Sequence, residues 1–187
     1  MAKRIEPLLT VADLEEFPED DGNRYELIAG ELFVSRTPGI PHQRMLLNLE
    51  IGLSEYLKDH PLGILVPGAG AIFSEYDAVI PDLAFVRHER WNDVVTGEKF
   101  TGALDIVIEI LSPGSQNRKR DFSAKRGLYA KYGIAEYWIV DAEDQSVLIF
   151  RLRERTLEEV VTLRGDDALF SPILPDLQLR VNSIFKL

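Results

Sequence analysis

Apolar positions recur along the chain with two different periods. From His42 to His60, Met45, Leu46, Leu49, Leu53, Tyr56 and Leu57 follow one another at three- and four-residue spacing. This is the stripe of a long helix, ended by Pro61-Leu62-Gly63. Asp121 to Tyr132 is a second amphipathic run, closed by Gly133 as a C-terminal cap. Thr10-Val11-Ala12-Asp13 reads as a capped helix start leading through Leu14 to Phe17. The other apolar runs are short and predict strands. Arg24–Ile28 and Glu31–Ser35 form a hairpin turning at Ala29-Gly30. Ile64–Pro67, Ala71–Glu75 and Ile80–Arg87 follow, then Asp105–Leu111, then Glu136–Asp141, Ser146–Leu152 and Glu158–Leu163, with Leu174–Arg180 as one further strand. His88 to Gly102 is polar and irregular, a loop or short helix. The order predicts a mixed α/β (α+β) fold with a central sheet flanked by helices, in a single domain spanning residues 1–187.

Three of these runs break their own pattern. Asp105 to Leu111 is apolar on both faces, like a strand covered on both sides. Ile106, Ile108 and Ile110 point one way, and Val107, Glu109 and Leu111 the other. Glu109 is therefore a carboxylate in a strand with no wet face, and a buried charge must be neutralised, paired or given a metal. The run from Val79 to Val86 repeats the anomaly with Asp82, and Arg24–Ile28 repeats it with Glu26. Convergence of the three acids on one divalent cation would explain all of them, because Mg²⁺ takes oxygen ligands.

Composition narrows the setting. The chain of 187 residues suits one full domain. No apolar run approaches the roughly 20 residues of a membrane span, and the N-terminus predicts no signal peptide. The absence of cysteine excludes disulfides and thiolate metal sites and makes the cytoplasm the default location. A net charge of −10 argues against a high-affinity nonspecific nucleic-acid binder. Against that bulk figure, Arg118, Lys119, Arg120, Lys125 and Arg126 crowd together directly after the Glu109 strand, with Lys131 just beyond.

Asp82 and Glu109 on adjacent strands could hold Mg²⁺, which would acidify a water and stabilise charge on a phosphate. The ordinary structural alternative has Asp82 bonded to local backbone after Pro81 and Glu109 paired with an arginine. Lys125 is the candidate cation beside the metal. With Asp121 four residues before it, it could equally be half of a surface helix pair worth a few tenths of a kcal/mol. Lys125, Tyr129 and Tyr132 share one helical face. Arg118, Lys119 and Arg120 suit phosphate contacts or a solvated loop, and His42 suits a phosphate contact or a helix start. His60 and His88 show no ligand spacing. Ser112 lacks the glycine-flanked elbow of a serine hydrolase.

Taken in order, Tyr25-Glu26-Leu27-Ile28-Ala29-Gly30-Glu31, Pro41-His42, Pro81-Asp82-Leu83, Ile108 to Pro113, Arg120-Asp121 with Lys125 and Tyr129, and Gly133 to Trp138 with Asp141 resemble the Uma2 family of predicted endonucleases. The resemblance runs from about Asp20 to Leu152. It implies a restriction-endonuclease-like fold related to the PD-(D/E)xK nucleases. Asp82 would be the acid of the Pro-Asp element, Glu109 the acid of the Glu-x-Lys element, and Glu26 an additional acid. Leu111 stands where the wider superfamily carries lysine, so by this resemblance the lysine role moves to Lys125 or catalysis is lost.

The sequence thus supports an endonuclease that uses Mg²⁺ or Mn²⁺ to hydrolyse DNA. Asp82, Glu109 and Glu26 would be its metal ligands, Lys125 its catalytic cation, and Arg118, Arg120 and His42 its phosphate contacts. A homodimer would suit double-strand cutting. The acidic charge and Leu111 support a catalytically inactive binding or regulatory module instead, and the −10 charge would also suit a hydrolase of small phosphorylated molecules.

Overall fold

Ile106, Ile108 and Ile110 bury against one hydrophobic layer and Val107 and Leu111 against the other, as strict alternation along a two-sided strand requires. A slip of one residue would drive Glu109 into the isoleucine layer, so the register is strongly specified. The computed structural model describes residues 8–18, 21–111 and 120–186.

A short helix, α1 (Val11–Leu14), starts at Thr10, whose hydroxyl and backbone exchange bonds with Asp13 in a capping box. Strands β1 (Asn23–Ile28) and β2 (Glu31–Arg36) form the expected hairpin. Both turn residues are left-handed, Ala29 at φ 52° and Gly30 at φ 74°, as a two-residue turn matching the strand twist demands. Alanine is strained there, and its N–H is held by the buried Asp77 at 2.7 Å. Helix α2 (Ile40–Asp59) has a proline in its first turn and buries Met45, Leu46, Leu49 and Leu53 against the isoleucine face.

The fold is mixed α+β as expected, with its strands divided between a larger central sheet and a smaller one. After β3 (Gly63–Pro67), β4 (Ala71–Ser74) and β5 (Asp77–Val79), the run Ile80–Arg87 does not form one strand. Residues 80–82 cross between sheets, and β6 is Leu83–Arg87. Pro81, which lacks an N–H for a ladder, marks the break. Residues 88–102 are more ordered than a loop. A 3₁₀ turn, His88–Arg90, leads to helix α3 (Trp91–Val94) and a small hairpin, β7 (Val95–Thr96) with β8 (Lys99–Phe100).

Strand β9 is Ile106–Ile110. The second amphipathic run begins as a π-helical turn, Arg120–Lys125, before α4 (Arg126–Lys131), with Gly133 beyond it at φ +78°. Strands β10 (Glu136–Asp141), β11 (Ser146–Arg153) and β12 (Thr156–Arg164) complete the larger sheet. The proposed strand Leu174–Arg180 is absent among the described residues. The segment makes one bridge, Ala168 to Arg180, and leads to helix α5 (Val181–Ile184). Pro175 and the left-handed Asp176 interrupt it.

The larger sheet runs β12-β11-β10-β9-β6-β3, parallel only between β9 and β10; the smaller runs β2-β1-β5-β4-β8-β7. Ala71 and Val79 of the smaller sheet and Val107, Tyr137 and Ile139 of the larger share one apolar layer with Leu128 and Tyr129 of α4. That layer is the side on which Glu109 lies. No helix among the described residues is long and apolar enough to cross a membrane.

Candidate active site

In the ladder between β6 and β9, Leu83 faces Ile108. One step further the antiparallel register sets Asp82 opposite Glu109, on the same side of the sheet. Both line one cleft with Glu26, Arg24, Ser35, Arg36, His42, Arg120 and Lys125. Its free volume is about 20 Å³, room for about one water molecule. Residues far apart in sequence, from β1, α2, the 80–82 crossing, β9 and the π turn, therefore meet at one point.

Each acid is held by named donors. Asp82 Oδ2 accepts the Ile110 N–H at 2.9 Å, and Oδ1 lies 3.2 Å from Arg24 Nη1. Its partner is thus the backbone of the Glu109 strand, not the local backbone. His42 Nε2 stands 3.1 Å from the same Oδ1, an ion-pair distance, although neither ring nitrogen makes a well-aligned hydrogen bond. Glu109 Oε1 accepts from Lys125 Nζ at 2.8 Å and from the Tyr129 hydroxyl at 2.7 Å. Glu26 Oε1 accepts the Ile80 N–H at 2.8 Å and sits 2.9 Å from Lys125 Nζ. Lys125 thus bridges two carboxylates, and Glu26 also ties β1 to the segment that carries Asp82.

The π turn explains how two cations reach one acid. It stacks residues five apart, and Arg120 and Lys125 both face Glu26, at 3.8 and 2.9 Å. The surface pairing expected for Asp121 and Lys125 does not form. Both are buried, and Asp121 bonds Arg120 Nε at 2.9 Å instead. Tyr132, expected on the Lys125 face, turns to Asp77, where it joins Lys131, each at 2.7 Å.

The electrostatics are those of crowded acids. Burial pushes the Glu109 carboxyl up to about 8; Lys125 pulls it down, while Asp82, Glu26 and Asp121 push it further up. Burial also raises Asp121 against the pull of Lys125 and Arg120. Asp82 goes the other way. Burial would raise it, but the His42 imidazole, the Ile110 N–H and Lys125 together hold it below the usual carboxylate range. Burial works against the Lys125 ammonium, and Glu109, Glu26 and Asp121 more than reverse this, leaving it raised. Burial, with Glu109 adding, drives the Tyr129 hydroxyl well above its ordinary value, so it keeps its proton and donates it to Glu109.

Asp82, Glu109, Glu26, Lys125, His42 and Arg120 of the expected site therefore come together, while Arg118, Ser112 and Pro113 lie outside the described residues. Among the described residues no three carboxylates or imidazoles form a ready-made metal cage, because the Lys125 ammonium lies between two of the acids. Asp82 and Glu109 still present hard oxygen donors on one small cleft, and Mg²⁺ commonly takes only one or two carboxylates, so this pair fits such an ion. The sequence placed Tyr129 on a helical face and in the family pattern without assigning it a role, and did not single out Arg24 or Arg36. The four-residue step from Lys125 to Tyr129 was a signal for the first.

A family model described as "Uma2: Putative restriction endonuclease" matches residues 11–182. A crystal structure described as "a putative nuclease belonging to DUF820 from Anabaena variabilis ATCC 29413" superposes with a TM-score of 0.76 over 95% of this chain and 97% of that one, at 20% identity. The type IIG restriction endonuclease BpuSI matches with a TM-score of 0.40 and 11% identity, over 77% of this chain and 15% of that one. No curated protein matches in sequence at a significant level.

Proposed function

This chain belongs to the Uma2 family, and on that premise we propose that it is an endonuclease that hydrolyses DNA phosphodiester bonds with Mg²⁺ or Mn²⁺. The observation that carries the reading is the convergence of Asp82, just before β6 and bonded to the Ile110 N–H, and Glu109 of β9 on a cleft that also holds a buried lysine. Asp82 and Glu109 would hold the ion. Once bound, a divalent ion supplies an acidified water and stabilises charge on a phosphate oxygen.

The chain's own residues do the rest. The Ile110 N–H and Arg24 fix the direction of Asp82. Lys125 and Tyr129 fix that of Glu109. Lys125 also brings a positive charge to the cleft, where it offsets negative charge growing on the phosphate in the transition state. Glu26 keeps that ammonium in place and supports the Asp82 segment through Ile80. Leu111, at the usual lysine position, packs in the apolar layer, so the ammonium comes from the neighbouring helical turn. A homodimer would bring two such clefts to the two strands of a duplex.

Plasmid cleavage with Mg²⁺ tests this. Asp82→Ala and Lys125→Ala should each lose at least 10²-fold in rate, the order of effect for groups that stabilise transition-state charge. Equal cutting by both variants and the wild type would refute it.

One observation favours a second reading, a non-catalytic module of nuclease shape. The Lys125 ammonium lies against both Glu109 and Glu26 and compensates their burial itself. Calorimetry separates the two: absence of heat from millimolar Mg²⁺ or Mn²⁺, in wild type and Asp82→Asn alike, supports the module.

A further inference from the structure

The cations around the cleft differ in what is left of their charge for a substrate. Lys125 is 2% exposed and shared between Glu109 and Glu26. Arg120 is 9% exposed and lies against Asp121 and Glu26. His42 is 10% exposed and faces Asp82. Of the expected phosphate contacts, Arg120 thus serves as a counter-ion inside the protein and His42 turns to Asp82. Arg24 is 27% exposed and, among the described residues, its guanidinium bonds through one nitrogen, at 3.2 Å to Asp82. Arg36 is exposed and lines the same cleft, and its side chain has no hydrogen bond or ion pair to another described residue.

Cross-strand pairing sets Arg24 beside Ser35, on the face of β1 that also carries Glu26. Arg36, the partner of Asn23 at the end of β2, reaches the same cleft from the strand end, and Ser35 also lines it. The interior holds Glu26, Asp82 and Glu109, with Asp121 close by. A phosphate moving toward such a group meets repulsion. Cations with free donors at the open side of the cleft are therefore what an incoming phosphate requires.

We infer that Arg24, Ser35 and Arg36 form a phosphate-binding strip for a polynucleotide backbone along the β1–β2 hairpin. This rests on the nuclease reading of the cleft and adds the residues that grip the substrate outside the acids. The two guanidinium groups present planar forks suited to phosphate oxygens, and the Ser35 hydroxyl adds a neutral donor.

The test is binding of a fluorescein-labelled DNA duplex, followed by anisotropy in EDTA across a salt series. The proteins are wild type, Arg36→Gln, Arg24→Gln, Arg24→Lys, and Lys99→Gln as a cation outside the cleft. Each Arg→Gln change should weaken binding and flatten the slope of log K against log salt by about 0.9. Arg24→Lys should keep the slope, and Lys99→Gln should change neither quantity. Wild-type slopes in both Arg→Gln proteins, equal loss in Lys99→Gln, or no binding by the wild type would overturn the strip. Plasmid cutting is read separately. A wild type that binds with an arginine-dependent slope but never cuts leaves the strip standing and removes the nuclease reading. Normal cutting with unchanged slopes removes the strip alone.

Discussion

Lys125 Nζ lies 2.8 Å from Glu109 Oε1, with neither side chain more than 5% exposed. A strand that carries a buried carboxylate and a helical turn that carries a buried ammonium are thus joined by one short contact. Either group alone would be costly there, because an unpaired buried ion loses its hydration with nothing in return.

Lys125→Met keeps the volume and removes the charge. It leaves Glu109 and Glu26 facing each other and should destabilise the protein by about 3–5 kcal/mol, the usual cost of breaking a buried pair. Lys125→Met combined with Glu109→Gln should cost less than the sum of the single changes, since the two side chains interact directly. Urea denaturation of the four proteins checks this; strict additivity would mean that the contact contributes nothing.

The position of Glu109 near 8 makes stability depend on pH. Its folded value stands above the ordinary 4.5, so between roughly pH 4.5 and 8 the native state holds a proton that the unfolded chain has released. Stability therefore falls as pH rises through that window. Glu109→Gln has no proton to lose there and should show a flatter curve. Urea midpoints at several pH values compare the two, and parallel curves would contradict the assignment. For the same reason, heat from Mn²⁺ binding should grow as pH rises toward 8.

Tyr129→Phe removes one of the two donors to Glu109 Oε1 and keeps the ring, which packs 5.0 Å from that of Tyr137. A cost of about 1–3 kcal/mol is expected for the under-satisfied carboxylate. Cleavage should slow while the circular dichroism spectrum stays unchanged. A stability equal to wild type would show that the hydroxyl is not needed to hold Glu109.

Asp77 joins the hairpin turn at Ala29, the β4–β5 turn at Ser74, and Lys131 and Tyr132 at the end of α4. It anchors the far end of the helix whose near end carries Lys125. Asp77→Ala should lose about 1–3 kcal/mol for the donors left behind, and Asp77→Asn less, because the amide still accepts. Thermal melts of both variants decide this; equal losses would mean that the carboxylate shape contributes nothing beyond its charge.

Local pattern determined much of this molecule by itself. The two faces of β9, the buried stripe of α2, the Ala29-Gly30 turn and the anomaly of three acids in apolar runs were all legible, because period, turn chemistry and burial act over a few residues. Other features depended on residues distant in the chain. Nothing near Ile80 shows that its N–H will meet Glu26, and this contact forms where the run splits between two sheets. Lys125 pairs with Glu109 and Glu26, remote in the chain, from a π turn that sets it on one acid with Arg120, five residues back, rather than against Asp121 at the four-residue spacing readable in sequence. Tertiary structure also decided which arginines serve as internal counter-ions and which remain available to a ligand, since charge is the same in every arginine and only burial and partners distinguish them.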